Sequence, residues 1–408
     1  MSSHSNSVLL TVVIFSVNVI IYTLNLSTSS AFDQDKENTY NGSRASDTLK
    51  LLVVISRHGN RGPLFDLPYS PYPVNDTKYW PYGIEQLTAV GRNQMYKLGV
   101  KIYSLYNGFL NPMFYDKDIY ASSTTKNRAL LSGEAFLAGL YPSAGFQPNK
   151  ELLQQSVVIH PNSPDKSQVM IGCPMYLQEL VAAAKSYVTD NYSNLTVVLS
   201  YLYVHGVTGS SVTSVMDLYA SWDTFTTTKR EGYILPEWTK DVYPQPMDDL
   251  IGRLYYSYFA STDTIIRLVM GSFLDEVLSV MKSVVNGTLT PDRKMYFYSG
   301  HDISLVTLQA ILGIPQTSMI TLVASGSGMV LELHQDPSTE EFSIQVLYID
   351  GSSPDLKLTP LVIPGCGSSC SFDQLLNITQ KFRNVSFEKE CQHNSSLEKN
   401  TIDTIYHG

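Results

Sequence analysis

Apolar residues arrive along this chain in two rhythms. Short β-branched runs that end in polar turns predict buried strands, and stretches with apolar residues every third and fourth position predict helices. The run 51–55 is strand-like and closes on Ser56-Arg57-His58-Gly59-Asn60-Arg61-Gly62-Pro63. After a loop at 69–81 dense in Pro and Tyr, Met95, Leu98, Ile102 and Leu105 mark one face of a helix that Thr88 can cap. Residues 118–122 predict a second strand, 124–128 a turn, and 130–140 the helix beyond it, with Pro142 past its end. A third strand is expected at 156–160. A helix is expected at 174–188, with Leu177, Leu180, Val181, Ala184 and Val188 on its buried side. The span 190–255 is irregular in pattern and reads as part of a helical cap. From Thr262, the spacing of Ile266, Val269, Phe273, Val277, Val280 and Val284 predicts a long helix. Residues 294–299 then form a strand, Gly300-His301-Asp302 a turn and 303–312 a helix, with antiparallel strands at 329–333 and 344–349. This alternation predicts an α/β sheet domain built from 49–165 and 256–391, with a smaller, mostly helical cap inserted at 166–255.

The two ends differ from this pattern. Residues 8–26 are almost continuously apolar and lead into Ser27-Thr28-Ser29-Ser30-Ala31, so 1–31 reads as a signal peptide cleaved near Ala31. The segment lacks Lys and Arg before a long apolar run, which keeps an uncleaved membrane tether as the alternative. A polar leader follows at 32–48, and 392–408 is a polar tail. Asn-x-Ser/Thr acceptors at Asn41, Asn75, Asn191, Asn194, Asn286, Asn377, Asn384 and Asn394 agree with secretion. So does the even set Cys173, Cys366, Cys370 and Cys391. Four cysteines allow three pairings. Gly and Ser between Cys366 and Cys370 make a local loop easy to close, which leaves Cys173 with Cys391. No His sits at zinc-ligand spacing beside them, and no metal or cofactor is expected. The expected location is secreted, with the lysosomal lumen or a tethered form as alternatives.

A hydrophobic fraction of 43% over 408 residues supports a sizeable core. A net charge of -9 with no basic run leaves nothing for nucleic acid to bind. Cations matter only where they gather. Arg57 and Arg61 offer planar forks that match phosphate oxygens, and His58 between them can attack phosphorus. Arg128 sits at another strand-to-helix turn, and His301 with Asp302 at a third. Hydrolysis of a phosphate monoester is mostly positioning and charge stabilisation, which arginines and helix N-termini can supply.

Arg57-His58-Gly59-x-Arg61-x-Pro63 resembles the signature of the histidine acid phosphatases, and the resemblance covers most of the chain. Trp80-Pro81-Tyr82-Gly83, Gln86-Leu87-Thr88, Gly91, Gln94 and Leu98-Gly99 are similar to the region after that signature. The run 120–128 is similar to the family's Ser-Thr-x-x-x-Arg segment, and Gly300-His301-Asp302 to its distal His-Asp pair. Leu235-Pro236-Glu237-Trp238 and the 360–366 segment with Cys370 resemble the prostatic and lysosomal branch. The resemblance implies a mixed sheet with helices on both faces, like phosphoglycerate mutase, and a homodimer. It also implies a metal-independent acid phosphatase. His58 would be the nucleophile forming a phosphohistidine; Arg57, Arg61, Arg128 and His301 would bind the phosphoryl oxygens; Asp302 would protonate the leaving oxygen. The chain departs from that branch at Asn60, Ser122, Thr125 and Asn127, and lacks the cysteines of one disulfide typical of vertebrate relatives. Arginines near His58 should depress its pKa, and a protonated Asp302 favours acid, so the expected optimum is about pH 4–6.

His205 and His334 read as packed histidines, and His160 as structural at a strand end. The expected partner is a small phosphate monoester. The alternatives are a phytase-like inositol phosphate phosphatase and a secreted relative that binds without turnover. Phytate would want further cations around the mouth, and segments 64–87 and 201–238 supply only Lys78, Lys229 and Arg230. Intact His58, Arg61, Arg128 and Asp302 argue against a non-catalytic binder, and the signal-like start argues against a cytosolic mutase.

Overall fold

Strand β1 (Leu49–Arg57) is buried along almost its whole length, so both faces of its alternating side chains need cover. The computed structural model describes residues 42–68, 70–142, 157–161, 173–208, 214–317, 319–367 and 369–391. The expected signal peptide, the tail 392–408, Asn41, Asn394 and the start of the third strand at Ser156 lie outside these residues.

Helices α1 (Ala89–Tyr106) and α2 (Asn127–Leu140) pack against each other on one face of the sheet. Thr88 caps α1 as expected, its side chain accepting the Gly91 N–H. On this face Phe136 of α2 stacks at 3.9 Å on Phe297 of β4 (Met295–Gly300), and Leu98 of α1 reaches the backbone beside Ile55. Leu51, Val53 and Ile55 point the other way. They join one core with α6 (Asp263–Val285), α7 (Asp302–Ile311) and three helices of the middle span.

The sheet has the order β3-β2-β4-β1-β5-β6-β7, with β2 (Ile119–Ser123), β3 (Ile159–Pro161), β5 (Gly328–Gln335), β6 (Phe342–Ile349) and β7 (Leu358–Leu361); β8 (Cys370–Ser371) pairs with β6. Pairings among β3, β2, β4 and β1 are parallel, and those from β1 through β7 antiparallel. The fold is therefore the expected mixed α/β sheet with helices on both faces.

The middle span is more regularly helical than its pattern suggested. The helix expected at 174–188 is α3 (Pro174–Val204), and the span read as irregular contains α4 (Val215–Arg230) and α5 (Met247–Phe259). The pattern was hard to read because threonines, tyrosines and an asparagine share the inward faces with the aliphatic residues. On α4 the buried side includes Thr224, Thr226, Thr227 and Thr228. On α3 the fully buried residues are Tyr176, Tyr187, Leu195, Val198, Leu199 and Leu202, whereas Leu177, Leu180, Val181, Ala184 and Val188 are half-buried. Asn191 is also buried, and its amide donates to the Tyr187 carbonyl at 2.9 Å, so the folded chain does not present it as a glycan acceptor. Asn75, Asn194, Asn286, Asn377 and Asn384 are exposed.

Disulfides join Cys173 to Cys391 and Cys366 to Cys370. Among the described residues no helix is long and apolar enough to cross a membrane.

Helices α1 and α2 cross where glycines let their backbones touch. A Cβ on Gly99 would lie 2.0 Å from the Phe136 carbonyl, and one on Gly139 would lie 2.1 Å from the Tyr96 carbonyl. Gly99→Ala must push the helices apart, and we expect a loss of about 1–3 kcal/mol. A lowered urea midpoint with unchanged slope is the measurement that checks it.

Candidate active site

In the parallel part of the sheet, Ser123 of β2 and Ser56 of β1 both pair with Ser299 of β4, and Arg57 with Gly300. The carboxyl ends of three neighbouring strands therefore stop level, where open α/β sheets place ligands. His58 follows β1, and His301 and Asp302 follow β4. Arg128 is the second residue of α2, just past β2, rather than in the turn before it.

The loop after β1 is held close against α1. A Cβ on Gly59 would lie 2.2 Å from the Gly91 carbonyl, so only glycine fits there. His58 is 3% exposed. Its Nδ1 lies 2.8 Å from the Gly59 carbonyl, an acceptor, so Nδ1 carries the proton and Nε2 the lone pair. The contact on the other nitrogen agrees, since Arg128 Nε donates to His58 Nε2 at 3.2 Å. Burial does most to hold His58 well below the ordinary histidine value, followed by Arg57, His301, Arg128 and Arg61. The expected direction is right, but the expectation had credited the arginines first.

Arg57 Nη2 lies 3.1 Å from Asp302 Oδ2, and its Nη1 donates to the Val323 carbonyl. Burial pushes the Asp302 carboxyl up, but Arg57, His301, the Ile303 N–H and Arg61 outweigh it and hold the group below the ordinary carboxylate range. The free site therefore keeps Asp302 ionised at pH 4–6, so an acid role requires a bound anion to offset those cations. Tyr255 donates to Asp302 Oδ2 at 3.2 Å, and the Ile303 N–H to Oδ1 at 2.9 Å. The His301 ring meets His58 edge-on at 5.5 Å, with its Nε2 3.0 Å from Thr124 Oγ1.

Arg61 has a partner the sequence reading missed. Its Nη1 and Nη2 donate to the two oxygens of buried Asp223 at 3.1 and 2.7 Å. Burial works against this cation, but Asp223 outweighs it and holds the guanidinium above its ordinary range. Asp223, Thr227 and Glu231 stand at i, i+4 and i+8 along α4 and its cap. All three grip the loop: Asp223 also accepts the Leu64 N–H at 2.9 Å, and Asn60 Nδ2 donates to the Thr227 carbonyl at 3.2 Å and to Glu231 Oε1 at 2.6 Å. A helical reading of 215–231 would have put these residues on one stripe. Glu85 was also missed; its Oε2 lies 3.0 Å from Arg128 Nη1. With Glu85 and Asp223 committed to Arg128 and Arg61, two cationic donors are left over. Arg57 Nε and Arg61 Nε are both buried, and neither has a hydrogen-bond partner among the described residues.

A family model described as the histidine phosphatase superfamily (branch 2) matches residues 48–349. The chain belongs to that family. Lysosomal acid phosphatase of Rattus norvegicus is 28% identical over 366 residues, covering 88% of this chain and 82% of the relative. Prostatic acid phosphatase of Rattus norvegicus is 26% identical over 360 residues, covering 85% and 90%. Among solved structures, the apo phytase of Hafnia alvei superposes with a TM-score of 0.61 at 16% identity, covering 85% of this chain and 98% of that one, which shows the shared fold. Outside the site of this histidine phosphatase relative, His205 stacks on Trp238 at 4.5 Å, His334 pairs with buried Glu332 at 3.2 Å, and His160 stacks on Tyr120 at 5.0 Å. Among the described residues no group of three or more His, Cys, Asp or Glu is placed to hold a metal ion.

Removing Asp223 strands a buried cation. Asp223→Ala is expected to cost about 3–5 kcal/mol of stability, and Asp223→Asn, which keeps one acceptor, less. Denaturant unfolding of the two variants checks the order.

Proposed function

We propose that this chain hydrolyses phosphate monoesters through a phosphohistidine on His58, with Asp302 as the proton donor. The observation that carries this reading is the pair of buried Arg57 and Arg61 Nε–H donors, without partners among the described residues, beside a histidine whose lone pair is on Nε2. Buried cationic donors without partners are costly, and the oxygens of a phosphoryl group would satisfy them.

In the first step Nε2 attacks phosphorus. Arg128 gives up its bond to Nε2 and turns to a phosphoryl oxygen. The bond from phosphorus to the ester oxygen breaks, and that oxygen takes the proton of Asp302. The dianionic substrate offsets Arg57 and Arg61, which raises the Asp302 pKa toward the value an acid needs. In the second step water attacks the phosphohistidine, Asp302 takes a proton from that water, and inorganic phosphate leaves with His58 restored. Tyr255 and the Ile303 N–H keep the carboxyl oriented throughout. We also place the mature chain in the secretory route, outside the cell or in the lysosomal lumen. The apolar N-terminal segment, the exposed acceptors and the two disulfides support that reading.

Turnover of p-nitrophenyl phosphate in EDTA, lost in His58→Ala, is the expected result; no turnover by the wild type would overturn the reading. Alkaline denaturation during turnover of a labelled ester should trap label on the wild type alone. Asp302→Asn should lower kcat by about 10²–10⁴-fold for alkyl esters, and less for p-nitrophenyl phosphate, whose leaving group needs no proton. Because His58 is held below the ordinary value of about 6.5, its imidazole stays neutral as the pH falls through that value. The acid limb of the kcat/KM profile should accordingly lie well below pH 6.5, and a limb at 6.5 would contradict the burial argument.

A further inference from the structure

The Arg128 guanidinium spans two partners. Its Nε donates to the attacking nitrogen of His58 at 3.2 Å, and its Nη1 lies 3.0 Å from Glu85 Oε2. A phosphoryl group on its way to His58 must approach this same fork, so the Glu85 carboxylate stands about one guanidinium width from the reacting centre. Of the two, Arg128 is the more enclosed: its side chain is 14% exposed, against 44% for Glu85. The carboxylate thus forms part of the rim and does not belong to a buried pair.

Glu85 is also held there. Its backbone lies at φ +61°, a left-handed conformation that glycine adopts freely and other residues rarely do. Its N–H donates to the Pro63 carbonyl at 3.3 Å, the Gly62 N–H donates to the Gln86 carbonyl at 2.9 Å, and Arg61 forms a β-bridge with Leu87. The turn that carries Glu85 is therefore fastened to the catalytic loop on both sides. A non-glycine residue in a strained conformation that is pinned on both sides, with its charge on a catalytic arginine, is a reason to look for a function.

We propose that Glu85 is a charge filter that sets the substrate class. It admits monoesters whose only multiply charged group is the phosphoryl being transferred, and it disfavours esters with further phosphates near that group. The proposal rests on the phosphatase reading above and adds its selectivity. A single phosphoryl group gains Arg57, Arg61 and Arg128 and meets one carboxylate at its edge. A second phosphate on the same molecule lies beyond that cluster, where the rim carboxylate repels it.

The test compares wild type, Glu85→Gln and Glu85→Gly on p-nitrophenyl phosphate and on phytate. Gln keeps the shape and removes the charge; Gly removes both the charge and the strain. Both variants should raise the phytate to p-nitrophenyl phosphate ratio of kcat/KM by about 10-fold, mainly through KM for phytate. Gly should also raise the melting temperature. An unchanged ratio in both variants would overturn the proposal, as would a rise in Gly without one in Gln, since that would trace selectivity to the backbone. Inorganic phosphate and inositol hexasulfate titrated calorimetrically give a readout independent of turnover. Glu85→Gln should tighten the hexasulfate more than the phosphate. If the wild type turns over neither ester, the phosphatase reading fails while this binding comparison still decides the filter.

Discussion

The site depends first on register. Because β2, β4 and β1 run parallel and their pairing brings Ser123, Ser299 and Ser56 to one level, three turns far apart in sequence open at the same edge. A slip of one residue in β1 would turn Leu52 and Val54 toward the face that Leu51, Val53 and Ile55 now occupy, exchanging the two buried faces. It would also withdraw His58 from the Gly300 carbonyl that accepts its N–H at 3.0 Å. The same hydrophobic alternation that fixes the sheet therefore fixes the distance between His58 and Asp302.

Gathering Arg57, Arg61 and Arg128 beside a histidine is electrostatically costly, and each is balanced differently. Asp302 faces Arg57, Asp223 takes Arg61 in a bidentate bond, and Glu85 meets Arg128 at the rim. The three carboxylates are graded by depth: Asp223 is closed off, Asp302 nearly so, and Glu85 open to water. Such grading lets the deepest pair remain a fixed support while the outer two can exchange partners when an anion arrives.

The residues to which we assign the chemistry were legible because each follows a short apolar strand, where the local pattern is strong. His58, Arg128, His301 and Asp302 meet as the alternation of strands and helices suggests. The residues that hold them were not legible. Asp223, Thr227 and Glu231 lie on a helix whose inward face is rich in hydroxyl groups, so no apolar stripe announced it. Glu85 sits in a turn, where its role comes from a backbone angle and a contact 43 residues away. The length of α3 was hidden in the same way, its inner face being marked by Tyr187 and Asn191 as much as by aliphatic residues.

The stripe on α4 has a consequence for assembly. Asn60, Arg61 and Leu64 find their partners on a helix that enters the chain more than 150 residues later. A partly folded chain that has formed its central strands but not yet docked this helix would own every signature residue and still lack a formed anion cradle. Catalytic competence would thus wait for that docking, making activity a sensitive gauge of whether the helix is in place.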